Sequence, residues 1–176
     1  VQGFETYRYH AGNTILRSWI AMPLITEIMD RAEGTVAALF SPTMWDDEKG
    51  VTTEVGATRF AWWDRSTLYA LRGAFAAGAT DEALDHWRRF TENRFVGEHA
   101  PYPLEVSPRG TQLSAESALY CRTAIEGLFG IRPTGFRSFT CAPRLPAGWD
   151  RMALRDIQAF GRVFDIDVAR AATGQR

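Results

Sequence analysis

The stretch from Gly97 to Gly110 holds three prolines, Pro101, Pro103 and Pro108, and a glycine at each end. Helical patterns flank it, from Thr80 to Phe95 before and from Leu113 to Phe129 after. Neither can run through it, because proline lacks the backbone donor and clashes with the preceding turn. A connection this long between two helices is uncommon, and such loops are usually functional or disordered. At its centre, Tyr102-Pro103-Leu104-Glu105 sets a carboxylate among apolar neighbours. A general base could sit there; the other reading is a solvated surface glutamate.

The remaining chain has the makings of a single domain, or of one domain with a small appendage. It is 45% hydrophobic and 12% aromatic, too rich in core-forming residues for a disordered segment. The formal net charge of -1 points to neither nucleic acid nor an anionic membrane as partner. Cys121 and Cys141 fit no metal spacing. Cys121 falls in an apolar helical run and reads as a small buried thiol, although pairing of the two remains open. No run is long and apolar enough to span a membrane. The opening Val1-Gln2-Gly3-Phe4 has neither a methionine nor the pattern of a signal peptide. We therefore expect a piece of a longer protein, with its other part upstream, and no compartment can be read.

Taken in order, the periodicity predicts a helix from about Leu24 to Phe40, weakened at Gly34 and ended by Ser41-Pro42. An acidic loop with Trp45, Asp46 and Asp47 follows. Val51 to Gly56 is a brief strand or an ordered loop. Ser66 to Ala77 reads as a helix stopped at Gly78. Thr80 to Phe95 is amphipathic, with Asp81 and Glu82 at its positive end. Leu113 to Phe129 leaves little polar face and is expected to be enclosed by other elements. From Arg132 the period changes to two. Phe136–Cys141, Met152–Ile157 and Arg162–Val168 read as antiparallel strands with one wet face.

Alternating enclosed and amphipathic helices suggest a double-layered helical barrel. The expectation is a mainly α chain: helical hairpins of an incomplete barrel over 1–131, then a short antiparallel β cap over 132–176.

The succession Gly50-Val51-Thr52-Thr53-Glu54, Trp63-Asp64, a helix ending in Ala77-Gly78, Asp81-Glu82-Ala83 and Tyr102-Pro103-Leu104-Glu105 resembles the C-terminal part of six-hairpin (α/α)6-barrel glycoside hydrolases. Trehalases and processing α-glucosidases are nearest in loop order. The tail from Ile131-Arg132-Pro133 to Trp149 resembles the β segment after the barrel in rhamnosidases and disaccharide phosphorylases. The resemblance covers about residues 34 to 168 and rests on the order of short motifs.

It implies an inverting glycosidase, with no metal and no organic cofactor. A base directs water onto the sugar while an acid protonates the leaving oxygen, the two carboxyls standing roughly 6.5–9.5 Å apart. Glu105 matches the base, with Leu104 where the family has an aromatic; the acid is expected upstream. Trp62, Trp63 and Trp45 are candidate stacking platforms. Asp64, Glu54, Tyr102 and His99 are candidate sugar ligands. Each also has a plain structural reading: tryptophans as core anchors, Asp64 paired with Arg65 or Arg109, Glu116 serving a helix N-terminus. The implied partner is a carbohydrate, together with the rest of the barrel upstream or in another chain. The alternatives are a disaccharide phosphorylase, which would gather basic groups around phosphate, and a non-catalytic carbohydrate-binding or scaffold segment.

Overall fold

The central helix of the fold is α3, Asp64–Ala76. Trp63 enters it in extended conformation, Asp64 lies in its first turn where the helix dipole favours a carboxylate, and Gly78 follows its last turn. Nearly every residue from Ser66 to Ala76 is buried. Small residues, Ala70, Gly73 and Ala74, let neighbours approach, while Leu71 and Phe75 fill the spaces between them. The structure is a computed structural model and describes residues 1–57, 61–96 and 114–171.

Around α3 lie the other helices. A 3-10 turn, Ser18–Ile20, leads into the short α1, Ala21–Ile25. α2 spans Ala32–Leu39, α4 spans Thr80–Phe95, and α5 spans Ser114–Arg122. After Arg122 the chain winds more widely, as a π-helical turn over Thr123–Leu128. Leu16, Leu24, Leu39, Met44, Val51, Leu71 and Phe75 form one core with Leu128, Phe129 and Met152. Leu68, Phe90 and Leu119 form a smaller one where α3, α4 and α5 meet. Each fully buried Leu or Phe contributes about 1.5–3 kcal/mol.

Among the described residues, three separate two-stranded antiparallel sheets join the helices. β1, Trp45–Asp46, pairs with β2, Gly50–Val51. β3, Ile131–Gly135, pairs with β4, Ser138–Cys141. β5, Arg151–Ala159, pairs with β6, Arg162–Ala169, through a two-residue turn in which Phe160 and Gly161 both have positive φ. That turn follows the right-handed strand twist.

The expected mainly α chain, a stretch of (α/α)6 barrel with a short β segment, is corrected here. Among the described residues there are five α-helices, with 39% of positions helical and 23% in the strands of three sheets, so the fold is not plainly mainly α. Three local events account for the difference.

First, the helix predicted over Leu24–Phe40 is two short helices. α1 ends at the Thr26 cap, where Glu27 N donates to Leu24 O and Ile28 N to Pro23 O, with Glu27 at φ 64°. This is a Schellman closure with a glutamate in the left-handed position. α2 then starts afresh, and Gly34 lets it lie against the backbone of Glu5, where a Cβ would come within 2.2 Å of the Glu5 carbonyl oxygen. Second, α3 is the enclosed helix. α5 is wet on one side, with Ser117, Ala118 and Cys121 exposed. The expected buried Cys121 thiol is corrected accordingly: both cysteines are free and exposed. Third, the C-terminal hairpins occupy most of the chain from 131 to 169 and have strands at both ends of their turns.

Candidate functional site

The first turn of α3 gathers charged and aromatic side chains from four parts of the chain. The segment before it is held by the N-terminal region. Thr53 N donates to Ala61 O, Thr52 bridges to Trp62, and Arg17 bridges to Glu54. Trp62 and Trp63 stand at the surface, 37% and 36% exposed. Each carries a cation over its ring: Lys49 Nζ lies 5.3 Å from the Trp62 centroid and the Arg65 guanidinium 5.6 Å from that of Trp63. Such contacts are favourable through the ring quadrupole.

Four carboxylates belong to this strip, and each meets a cation. Glu54 Oε2 accepts from Arg17 Nε at 2.6 Å. Asp46 Oδ2 meets Lys49 Nζ at 3.3 Å. Asp64, 6% exposed, accepts from Arg94 Nε at 3.2 Å. Glu116, 1% exposed, accepts from Arg65 Nε at 2.9 Å through Oε1. Its other oxygen, Oε2, is buried and has no hydrogen-bond partner among the described residues. Arg17 also lies over the Tyr9 ring. Burial is the main cause raising the Tyr9 hydroxyl above its usual range, with Arg17 opposing and Glu54 adding to the effect.

The acidic turn beside the strip is ordered by its own backbone. Asp46 Oδ1 accepts from Glu48 N and Lys49 N, both at 3.0 Å. Burial works against ionisation of Asp46, but these bonds and Lys49 together hold its carboxyl below the usual range. Arg89 does the same for Asp47 through a hydrogen bond, helped by Trp45.

The candidates from the sequence are thus placed differently from one another. Trp62, Trp63, Asp64 and Glu54 share the strip. Trp45 is buried in the core, its ring against Phe40 and His86 and its Nε1 donating to Asp47 Oδ1 at 3.1 Å. Glu105, Tyr102 and His99 lie outside the described residues. Asp64 pairs with Arg94 from the last turn of α4, a partner separated by thirty positions that local spacing could not disclose. The Arg65–Glu116 pair is likewise invisible in the linear pattern. Its only trace was a glutamate opening a helix with little other polarity.

Among the described residues no group of three or more His, Cys, Asp or Glu is arranged to hold a metal ion, and no helix is long and apolar enough to cross a membrane. Comparison with protein-family models, with curated proteins and with solved structures finds no match for this chain.

Proposed function

We propose that this chain belongs to a glycoside hydrolase and that Glu105 is its general base. One observation carries the reading. The segment bearing Glu105 leaves α4 and enters α5, and the charged residue nearest each junction is tied to the first turn of α3: Arg94 to Asp64, and Glu116 to Arg65. Two half-exposed tryptophans stand beside those ties. Flat aromatic faces suit the C–H face of a sugar ring, and neighbouring carboxylates suit its hydroxyls.

In the proposed reaction Glu105 takes a proton from water, the water oxygen attacks the anomeric carbon, and an acid elsewhere in the enzyme protonates the departing glycosidic oxygen. The anomeric configuration inverts. The phosphorylase alternative is less favoured. Phosphate would require surplus positive charge, whereas Arg17, Lys49, Arg65 and Arg94 each have a carboxylate partner.

The test is Glu105→Gln in the full-length enzyme. Turnover should fall by about two to four orders of magnitude, the usual weight of general-base assistance, with substrate binding retained. Near-normal turnover removes Glu105 from the mechanism. Turnover that requires added phosphate replaces hydrolysis with phosphorolysis.

A further inference from the structure

We propose that the cleft between the two C-terminal hairpins, β3–β4 and β5–β6, is a binding site for a neutral aromatic small molecule. It shares no residue with the strip at the first turn of α3 and does not rest on the carbohydrate reading.

The cleft has a volume of about 450 Å³, within the range of small-ligand pockets, and its wall is almost wholly apolar. β3 and β4 supply Ile131 and Phe139, β5 and β6 supply Leu154, Ile157 and Phe164, and the turn joining β5 to β6 supplies Phe160. Two local features aim the second hairpin at it. In β5, Leu154 pairs with Ile166 and Ile157 with Phe164, so Arg155 and Asp156 share the position opposite Asp165. This bulge, with Asp156 at φ 54°, brings Ile157 onto the same face as Leu154. Unbroken alternation would send Ile157 to the wet face. At the turn, Phe160 takes φ 57° before Gly161. Such a turn favours Asn-Gly, and a phenylalanine there works against the backbone preference. Phe160 is also 37% exposed, so burial of its ring does not account for the choice. Its ring centroid lies 5.9 Å from that of Phe139 at an interplanar angle of 7°, and Phe139 lies 5.8 Å from Phe164 at 14°. Three near-parallel rings therefore line the cleft with part of their surface open, which suits one further flat ring. The charge of the ligand follows from the wall. Among the described residues Arg155 is its one charged side chain, and Asp165 and Asp167 hold that guanidinium at 3.1 and 2.6 Å. Gln158 is left to meet a single neutral polar group.

The experiment is an NMR titration of the protein, labelled at its isoleucine and leucine methyl groups, with indole, a neutral flat probe carrying one N–H. Saturable shifts are expected at Ile131, Leu154 and Ile157, with a Kd of about 1 mM or tighter, while Leu24 and Leu39 in the main core stay unmoved. Phe160→Asn suits the turn better than the native residue, so its urea midpoint should hold or rise. The same variant should bind indole about threefold or more weakly, as fits loss of one aromatic contact. Shifts that never saturate, or that fall mainly outside the cleft, overturn the site. Equal affinity in Phe160→Asn, or a clear fall in its urea midpoint, makes Phe160 a packing residue and overturns the reading of the turn. Binding of indole-3-carboxylate as tight as that of indole overturns the neutral assignment. A dimer in sedimentation that indole does not disperse gives the cleft to a second copy of the chain and overturns the proposal. Should Phe160→Asn fail to fold, Phe160→Leu keeps the apolar bulk and removes the flat ring. Undiminished affinity in that variant also overturns the aromatic assignment.

Discussion

Arg72 in α3 and Glu126 in the π-helical turn after α5 form an ion pair inside the protein, with Arg72 Nη2 donating to Glu126 Oε2 at 2.6 Å. Both side chains are largely buried, and Arg122 reaches the same carboxylate from one turn earlier. Burial pushes the Arg72 guanidinium below its usual range, with Glu126 opposing that effect. The pair stitches the wider turn to the central helix. Removing one partner strands the other in the core, so Glu126→Ala should lower unfolding stability by about 3–5 kcal/mol in urea titration. The double change Arg72→Met with Glu126→Leu should recover much of that loss. A loss below about 1 kcal/mol in the single variant would show that the pair does not fasten the turn.

Gly50 and Thr67 make a second long-range tie. Gly50 has φ +86°, and a Cβ there would stand 2.2 Å from Thr67 Oγ1. The same hydroxyl oxygen accepts from Val51 N at 2.9 Å, so hairpin β1–β2 is seated directly on α3. Gly50→Ala combines a disfavoured backbone region with overpacking. It should destabilise by about 1–3 kcal/mol, read from the shift in denaturation midpoint. An unchanged midpoint would mean the hairpin can lift from α3 without cost.

The thiols give a chemical check on the same packing. Cys121 is exposed on α5, whereas Cys141 Sγ donates to Phe129 O at 3.4 Å and burial pushes its thiol pKa up. The thiolate is the reactive form. A thiol-labelling reagent near neutral pH should modify both cysteines of the native protein, Cys121 first. Modification in the reverse order would contradict this placement of α5.

What could be read beforehand, and what could not, divides by range along the chain. Arg162–Val168 was legible as a strand because one wet face imposes a period of two on neighbouring residues, and so was the Ser138–Cys141 part of the expected Phe136–Cys141, whose first two residues form the turn from β3. α4 was legible because its buried residues, Ala83 and Phe90, recur on one helical face. The break at Thr26–Glu27 was not, since a glutamate in the left-handed position carries no glycine to announce it. Enclosure was assigned to the wrong helix for a similar reason. Arg72, Ser66 and Thr67 make α3 look half polar, yet each is buried against a partner distant in sequence: Glu126, Ser18 and the Val51 amide. The candidate site followed the same rule. Trp62 and Trp63 could be picked out by type, but Arg94 and Glu116 become neighbours of α3 only through the fold.

His86 supplies a pH dependence. Its ring lies 4.3 Å from Phe40 and 4.1 Å from Trp45, and its buried Nδ1 has no hydrogen-bond partner among the described residues. Burial is the main cause lowering its pKa, aided by Arg89 and opposed by Asp47 and Asp85. An unfolded histidine titrates near about 6.5. Below that value the unfolded chain binds a proton that the folded protein resists, so stability rises with pH across this window. The contribution is fully present above the unfolded pKa and is lost as pH falls through the lower, folded one. Urea midpoints should therefore drop on acidification from about pH 7.5 toward pH 5. His86→Phe, which keeps an aromatic ring in the slot, should flatten that drop. An identical pH profile in the variant would assign the effect to other groups.

Arg65 tests the tie between α3 and α5 at the candidate site. Its guanidinium is part-exposed, whereas Glu116 is almost wholly buried, so the cost of breaking their pair falls mainly on the carboxylate. Arg65→Met should destabilise by about 2–3 kcal/mol, somewhat less than for a pair buried at both ends. Arg65→Lys should restore only part of this, because a lysine ammonium reproduces the charge but not the planar fork that holds Oε1. Replacing both partners, Arg65→Met with Glu116→Leu, removes the stranded charge and should return stability toward wild type. A double variant that keeps the full loss of Arg65→Met would show that the cost does not lie in the stranded carboxylate.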